Sequence, residues 1–367
     1  MNDLHTVTIV GLGLIGGSFA KALSRAGIEN IYAVDNNCAS ITSAIEDGII
    51  KAGGTELNEK FCNADVILVC TPAEYAPEII EKAASMCGKD TIIADTASVS
   101  LNLINSVRKI KSSFRYVSTH PMAGSEKGGY DASKAHLFEN AYAIISPCER
   151  TDDNSIIILT QLYKTVGAIP VVLDGKSHDE AVGLISHLPH AASAALVNLL
   201  SKCDTTDKMA QSIAAGGFKD ITRISSSSPL LWADISFQNK EVLKNLIDKY
   251  ISELKTFQDF LASDDKKGLE AYFASAKETR DRLPSISRSL IGEIYEISID
   301  VEDKVGVTSF ISETLSRENI SIKAISIENS REFDGGVMTI AVSSDSDLKK
   351  SLKVLREKGI NARDKNE

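Results

Sequence analysis

Several things are missing from this sequence, and each absence narrows what the protein can be. None of its six cysteines forms a CxxC pair; Cys38, Cys62, Cys70, Cys87, Cys148 and Cys203 are scattered. Most stand among apolar neighbours, so reduced thiols are expected rather than disulfides or zinc ligands, and no metal site is expected. No apolar run approaches the roughly 18 residues that a membrane span requires. The first strand pattern begins almost at once, which leaves no room for a signal peptide. A surplus of positive charge is also lacking. The formal net charge of −10 argues against nucleic acid or an anionic membrane as a partner. No helix-turn-helix, basic stripe or 20–50-residue repeat is visible. Together these absences point to the cytoplasm. An acidic chain that binds small anions must use a few placed cations, so any arginine beside a motif is informative.

What remains is an ordinary globular composition. The 367 residues are 43% hydrophobic and 25% charged, enough for two or three domains. The densest signal lies at the start. Val7-Thr8-Ile9-Val10 is a β-branched run, Gly11-Leu12-Gly13-Leu14-Ile15-Gly16 spaces three glycines as GxGxxG, and Phe19 to Ala26 is apolar with helical period. Strand, tight turn, helix is the order of a dinucleotide-binding site. Gly11 allows the sharp turn, Gly13 a close approach to a pyrophosphate, and Gly16 tight helix–sheet packing. Leu14 and Ile15 supply N–H groups of the first helical turn. A second strand, Asn30 to Val34, ends in Asp35. A carboxylate there can take both ribose hydroxyls of an adenosine and repels a 2′-phosphate, which favours NAD over NADP. The alternative is that Asp35 merely caps the next helix.

From Thr6 to about Asp174 short apolar strands alternate with amphipathic helices, which predicts a parallel sheet. Asp65 to Cys70, Thr91 to Ala94, Arg115 to Ser118, Tyr142 to Ser146 and Ile169 to Leu173 read as strands. Their ends place Asp35, Thr71-Pro72, Ser98 and His120 at one edge, where ligands gather in open α/β sheets. A long loop, Pro121 to Tyr130, follows His120; loops of that length in compact domains are usually functional. Past Ser177 the pattern is helical as far as residue 283. A wholly helical block with long apolar faces commonly packs against its own copy, so a dimer is expected. Leu283 to Ser287 looks like a linker. The tail alternates again as βαββαβ, a ferredoxin-like unit. The resulting division is 1–176 for dinucleotide binding, 177–284 for a helical substrate and dimerisation domain, 285–293 as linker and 294–367 as a small separate domain. The fold class is α/β: a Rossmann-type parallel sheet, an all-helical middle and a ferredoxin-like end.

Beyond the glycine turn, four further motifs occur in order: Asp95-Thr96-Ala97-Ser98-Val99, His120-Pro121-Met122-Ala123-Gly124, His187-Leu188-Pro189-His190 and Gly217-Phe218-Lys219-Asp220-Ile221-Thr222-Arg223. Over about residues 6 to 285 the chain resembles the prephenate dehydrogenase family of tyrosine biosynthesis. The tail, with Asp303-Lys304-Val305-Gly306-Val307, is similar to an ACT domain, a module that often binds amino acids. The resemblance implies NAD-dependent oxidative decarboxylation of prephenate to 4-hydroxyphenylpyruvate by a homodimer. It implies His120 as the acceptor of the hydroxyl proton, suited by an imidazole that titrates near neutrality. Ser98 matches a serine that hydrogen-bonds the histidine and the reacting hydroxyl. On its own residues, Ser98 or Ser100 could equally cap the helix beginning near Leu101. A lysine is common two positions after that serine; here Ser100 stands.

Arg223 is the candidate for a substrate carboxylate, since a guanidinium offers two parallel donors. Lys219 is placed either at the site or on the surface. His187 and His190, three apart, share a helical face. No carboxylate of zinc-site type accompanies them, and the resemblance puts them near the substrate as hydrogen-bond donors; histidines satisfied within their helix are the alternative. Glu126 matches a loop acid that closes over the site or senses product, with an exposed salt bridge as its alternative. Trp232, the one tryptophan, is a lid or core.

In the ACT-like tail the expected effector contacts are Asp303, Gly306, Asn319 and Ile320, with tyrosine as the expected inhibitor and a purely dimerising domain as the rival. The proline usual before that glycine is Val305 here. Arogenate dehydrogenase, acting on the amino analogue, is a close alternative activity, and a non-catalytic dinucleotide- or amino-acid-sensing regulator a more distant one. No chorismate mutase-like segment is expected beside the dehydrogenase region.

Overall fold

The structure is a computed structural model that describes residues 4–125, 127–204, 208–283, 295–302, 304–329 and 335–365. Glu126, Asp303 and the expected linker 285–293 lie outside the described residues. The chain divides into two compact units, Met1–Leu269 and Glu270–Glu367.

The first unit is built on eight strands: β1 (Thr6–Val10), β2 (Asn30–Val34), β3 (Ala52–Gly54), β4 (Val66–Val69), β5 (Ile92–Asp95), β6 (Arg115–Pro121), β7 (Tyr142–Ser146) and β8 (Ile169–Val172). They form one sheet in the order β3-β2-β1-β4-β5-β6-β7-β8. Strands β1 to β6 all run parallel, so their carboxyl ends share one edge. The sheet is not wholly parallel: β7 lies antiparallel to β6, with His120 opposite Ile144, and β8 is parallel to β7. The connection between β6 and β7 is a loop with one short helical turn, Tyr130–Ala132, so the chain doubles back beside β6. A parallel pair needs a longer crossover. Both faces are covered, which is why β4 and β5 are apolar without alternation. One face packs Ile9, Phe19, Leu23, Phe138 and Leu162, and the other Val10, Phe61, Ile80, Ile104 and Tyr116.

After β8 the unit is helical. Asp174 caps the helix Gly175–Val182 by accepting from the Lys176 and Ser177 N–H groups. That helix continues through a π-helical turn, Gly183–His187, into Leu188–Cys203. Gly183 sits against Val242, Leu246 and Asn239, so the wide turn passes close under the helix Lys240–Ala262. The run Gly175–Cys203 is long and apolar enough to cross a membrane by length and composition, contrary to the reading of the sequence alone. Its alanines, leucines and valines raise the mean hydropathy although no stretch is free of polar groups. It carries His178, Asp179, His187 and His190, and the first three are buried. The apolar side chains Leu184, Ile185 and Leu199 are more than half exposed, as are Ile213, Ile221, Leu230 and Phe237 elsewhere in the helical block.

The second unit holds β9 (Tyr295–Glu302), β10 (Ile322–Asn329), β11 (Gly335–Val342) and β12 (Ala362–Asp364), with helices Val307–Arg317 and Asp345–Glu357. The sheet order β10-β11-β9-β12, antiparallel throughout, is the ferredoxin-like arrangement expected from the βαββαβ pattern. Ile297, Ile299, Met338, Ile340, Leu315 and Leu355 form its core.

Candidate active site

The glycine turn shows in atoms why each glycine is needed. Gly11 has φ +98°, and a Cβ there would stand 2.9 Å from the Cys70 carbonyl oxygen. A Cβ on Gly16 would fall 1.9 Å from the Gly11 carbonyl oxygen, so only glycine lets the helix Leu14–Arg25 start here. Gly13 faces open space, and no side chain caps the helix it precedes. The free N–H groups of Leu14 and Ile15 belong to that uncapped turn. Asp35 accepts from Leu12 N–H at 2.6 Å and from Asn37 N–H at 2.7 Å, one bond to each oxygen. The next helix, Cys38–Glu46, is capped by Asn37 and not by Asp35. Asp35 therefore ties the turn to the end of β2 and keeps lone pairs for two further donors. Two strands away, at the end of β4 and next to Pro72, Thr71 Oγ1 is buried without a partner among the described residues. A buried hydroxyl without a protein partner has a donor and lone pairs to offer a ligand group. A cavity of about 430 Å³ opens beside Leu14, lined also by Gly124, Ser125, Lys127, Lys134 and His136. An uncapped helix start, an acid at the ribose position and an orphaned hydroxyl fit a dinucleotide.

Three strands along from β1, His120 ends its run in β6 within a chain of buried polar groups. Its Nδ1 lies 2.9 Å from His178 Nε2. His178 Nδ1 lies 2.7 Å from Asp179 Oδ1. Asp179 also accepts from the Ser100 and Leu101 N–H groups at 2.8 and 2.9 Å, capping the helix Leu101–Val107 from a distant part of the chain. Asn239 donates to the Asp179 carbonyl and meets His187 Nδ1 at 3.1 Å. His178, Asp179, His187 and Asn239 are all essentially buried.

The direction of these bonds follows from the acid. A carboxylate already holding two N–H bonds is an acceptor, so His178 must carry its proton on Nδ1 and present a lone pair on Nε2. His120 then donates from Nδ1, and its own lone pair is on Nε2. That atom makes no hydrogen bond among the described residues. Burial first, then the nearby His178 and His187, push the His120 pKa down to about 3, so the ring rests neutral. Burial likewise lowers His187 to about 4, opposed by Asp179. Under this row, Asp95 is fully buried and accepts from Tyr116 Oη at 2.6 Å and Ala97 N–H at 2.8 Å. Burial raises its pKa to about 6.

Farther out, His190 lies flat on Trp232, with ring centroids 3.3 Å apart, and its Nδ1 is 2.9 Å from the Ser186 carbonyl oxygen. His187 meets the same indole edge-on at 6.0 Å. Trp232 is thus half-buried as a platform for both histidines. Burial lowers the His190 pKa, and the charge of Arg223 adds to the effect, which places Arg223 beside it. Arg223 and Lys219 are exposed, one helical turn apart, and neither makes an ion pair with a described residue. Ser225, two residues past Arg223, meets Ser193 of the helix Leu188–Cys203 hydroxyl to hydroxyl at 2.6 Å, so the segment that carries Arg223 packs on the helix that carries His190.

Some expected residues fall differently. Ser98 makes no hydrogen bond with a described residue; His178 occupies the His120 nitrogen that a serine was expected to hold. Ser100 is fully buried against Gly175, and its N–H, not its hydroxyl, takes part in the cap. In the tail, Gly306 (φ +92°) and Asn319 (φ +58°) are left-handed turns, whereas Ile320 is a core side chain that could offer a ligand only its backbone. His178, Asp179 and Asn239 were missed. An adjacent His-Asp pair directly after the last strand was the available signal.

Comparison with known proteins identifies the family. The sequence model described as the prephenate dehydrogenase nucleotide-binding domain matches residues 19–172. The one described as the prephenate dehydrogenase dimerization domain matches 174–275, and an AHAS small subunit-like ACT domain matches 297–358. In solved structures, prephenate dehydrogenase from A. aeolicus, in complex with hydroxyphenyl propionate and NAD+, is 33% identical with a TM-score of 0.72. It covers 77% of this chain and 99% of its own. Synechocystis arogenate dehydrogenase is 28% identical with a TM-score of 0.69, covering 76% and 100%. Prephenate dehydrogenase of Bacillus subtilis (strain 168) is 34% identical over 355 residues, 96% of either chain. On that extent of agreement, the chain belongs to the prephenate dehydrogenase family.

Proposed function

We propose that the protein oxidises prephenate with NAD, releasing carbon dioxide and 4-hydroxyphenylpyruvate. One observation carries the reading: His120 is held neutral, with Nε2 unbonded among the described residues, at the same sheet edge as the uncapped glycine turn. The turn Gly11–Gly16, Asp35, Thr71 and Pro72 would hold the dinucleotide, whose nicotinamide supplies the hydride acceptor. His120 Nε2 accepts the proton of the ring hydroxyl as hydride leaves the same carbon. Arg223, with Lys219 one turn before it, grips a carboxylate. His190, kept flat by Trp232, orients the other end of the substrate with His187 behind it. Ser98 stands near enough in sequence to the β5 end to serve the hydroxyl once substrate is present, and the family resemblance assigns Glu126 to the substrate as well.

Two further assignments go with this reading. A homodimer forms through the helical block, supported by the exposed Ile185, Ile213, Leu230 and Phe237 and by the description of the family domain matched there. Tyrosine binds the ACT-like unit at the turns of Gly306 and Asn319, where the sequence also assigns Asp303 and Ile320 as contacts. The keto substrate is preferred here, and arogenate is the competing one, favoured by the likeness to the Synechocystis enzyme. NADH formation followed at its near-ultraviolet absorbance, with prephenate or arogenate and with NAD or NADP, tests the reading. Absence of NADH with both substrates rejects it. Titration with tyrosine tests the effector, and light scattering the dimer.

A further inference from the structure

The reaction proposed above balances without a proton. A dianionic substrate and oxidised cofactor become a monoanion, carbon dioxide and reduced cofactor. Yet the hydroxyl O–H bond must loosen as its carbon gives up hydride, because its electron pair forms the C=O bond. When carbon dioxide leaves, the electron pair of the broken C–C bond enters the ring, and the same oxygen becomes phenolate and takes a proton back. A proton therefore has to be stored for the interval and returned. Storage on His120 alone is poor: the ring is desolvated and faces two other histidines.

We propose that His178 and Asp179 form the store, acting through His120. As the substrate O–H breaks and His120 Nε2–H forms, His120 Nδ1–H breaks and His178 Nε2–H forms. His120 ends neutral, and the positive charge comes to rest on His178 beside the Asp179 carboxylate. The reverse transfers return the proton to the phenolate oxygen. This deepens the dehydrogenase reading and rests on it. Three observations support it. The two rings already meet nitrogen to nitrogen at 2.9 Å, and the tautomers that Asp179 imposes point this bond the way the transfer requires. Asp179 sits 2.7 Å from the far nitrogen of His178 and is fixed there by two backbone N–H groups, so it cannot turn away. His178 is fully buried, which suits a store that gives its proton back and not a path to solvent. The titratable groups facing His178 are His120 from β6, Asp179 from its own helix and His187 from the π-helical turn; Asn239, from the start of the helix Lys240–Ala262, is neutral. Asp179 is the one acid among them, and it touches His178 and not His120.

The test combines two measurements on the full chain. Nitrogen-15 NMR of histidine-labelled wild-type enzyme reads the tautomers directly: His120 and His178 are both expected protonated on Nδ1, and a proton on His120 Nε2 overturns the proposal. The second measurement is the pH profile of kcat/KM for His178→Gln. The glutamine oxygen still accepts from His120 and holds it in place but takes no proton. The expected result is a kcat about 10²-fold lower, KM little changed, and an acid limb moved to lower pH by about one to three pH units. An acid limb that stays where it is in wild type overturns the proposal, whether or not kcat falls, because a purely structural role lowers the rate without moving the limb. If His178→Gln does not fold, Asp179→Asn is judged by the same limb. Failure of the parent reading is separate: it appears as no NADH from wild-type enzyme, or as full turnover in His120→Asn.

Discussion

The inner and outer halves of the site are built in opposite ways. Inside, His120, His178, Asp179, His187 and Asn239 are linked in one network, and the last four are essentially buried. Outside, Arg223 and Lys219 stand exposed without a counter-ion among the described residues, and His190 is steadied mainly by an indole face. The inner half is arranged before substrate arrives, so it can stabilise charge that develops only during reaction. The outer half offers charge that no described residue satisfies, so its work is done by binding. Inner variants should lower kcat, outer variants should raise KM, and the two should separate cleanly in kinetics.

The largest break in that comparison is His120→Asn. Loss of the proton acceptor should lower kcat by about 10²–10⁴-fold with KM little changed, measured by steady-state NADH formation. A large rise in KM instead would move His120 to the binding half. Next comes Arg223→Ala, which removes a charge-assisted grip worth roughly 1.5–3 kcal/mol. KM for prephenate should rise by about 10–100-fold while kcat holds, and Arg223→Lys should recover only part, because an ammonium cannot donate two parallel bonds. Smaller again is Asn239→Ala. It leaves the Asp179 carbonyl and His187 Nδ1 buried without their donor, at a cost of about 1–3 kcal/mol, read from urea unfolding.

The same division separates what could be read from the sequence from what could not. The glycine turn and Asp35 were legible because the chemistry is local: Gly11 and Gly16 must be glycine for reasons within a few residues, and Asp35 ends the very next strand. The βαββαβ tail was legible for the same reason, since strand and helix periods are written in the chain. His178 was not, because its partner His120 is 58 residues away, and Asp179 reaches Ser100 across 79. Nothing at position 179 says that an acid on one helix caps another. The reversal of β7 was invisible too: its apolar run reads alike in either direction. For the exposed Ile185, Ile213 and Phe237, helical spacing identified an apolar face, yet what covers that face is a property of a second molecule.

The smallest effect belongs to pH and stability, and it still tells the halves apart. His187 has an ordinary pKa of 6.5 and is held near 4 in the folded chain, chiefly by burial. Between those values the unfolded chain binds a proton that the folded chain refuses, so stability is lost as pH falls from about 6.5 to about 4. Asp95 works the other way: raised from 3.8 to about 6, it binds a proton in the folded state first, and its contribution declines as pH rises through that window. The two partly cancel in wild type. His187→Gln removes one of two histidine contributions, His120 near 3 keeping the other, so between pH 4 and 6 its melting temperature should fall less steeply on acidification than that of wild type. His190→Gln, on the outer half and less buried, should leave the slope nearer to wild type. Equal slopes in all three proteins would mean that the inner histidines meet water as freely as the outer one, and the contrast between a prearranged interior and an adjustable rim would fail at its physical root.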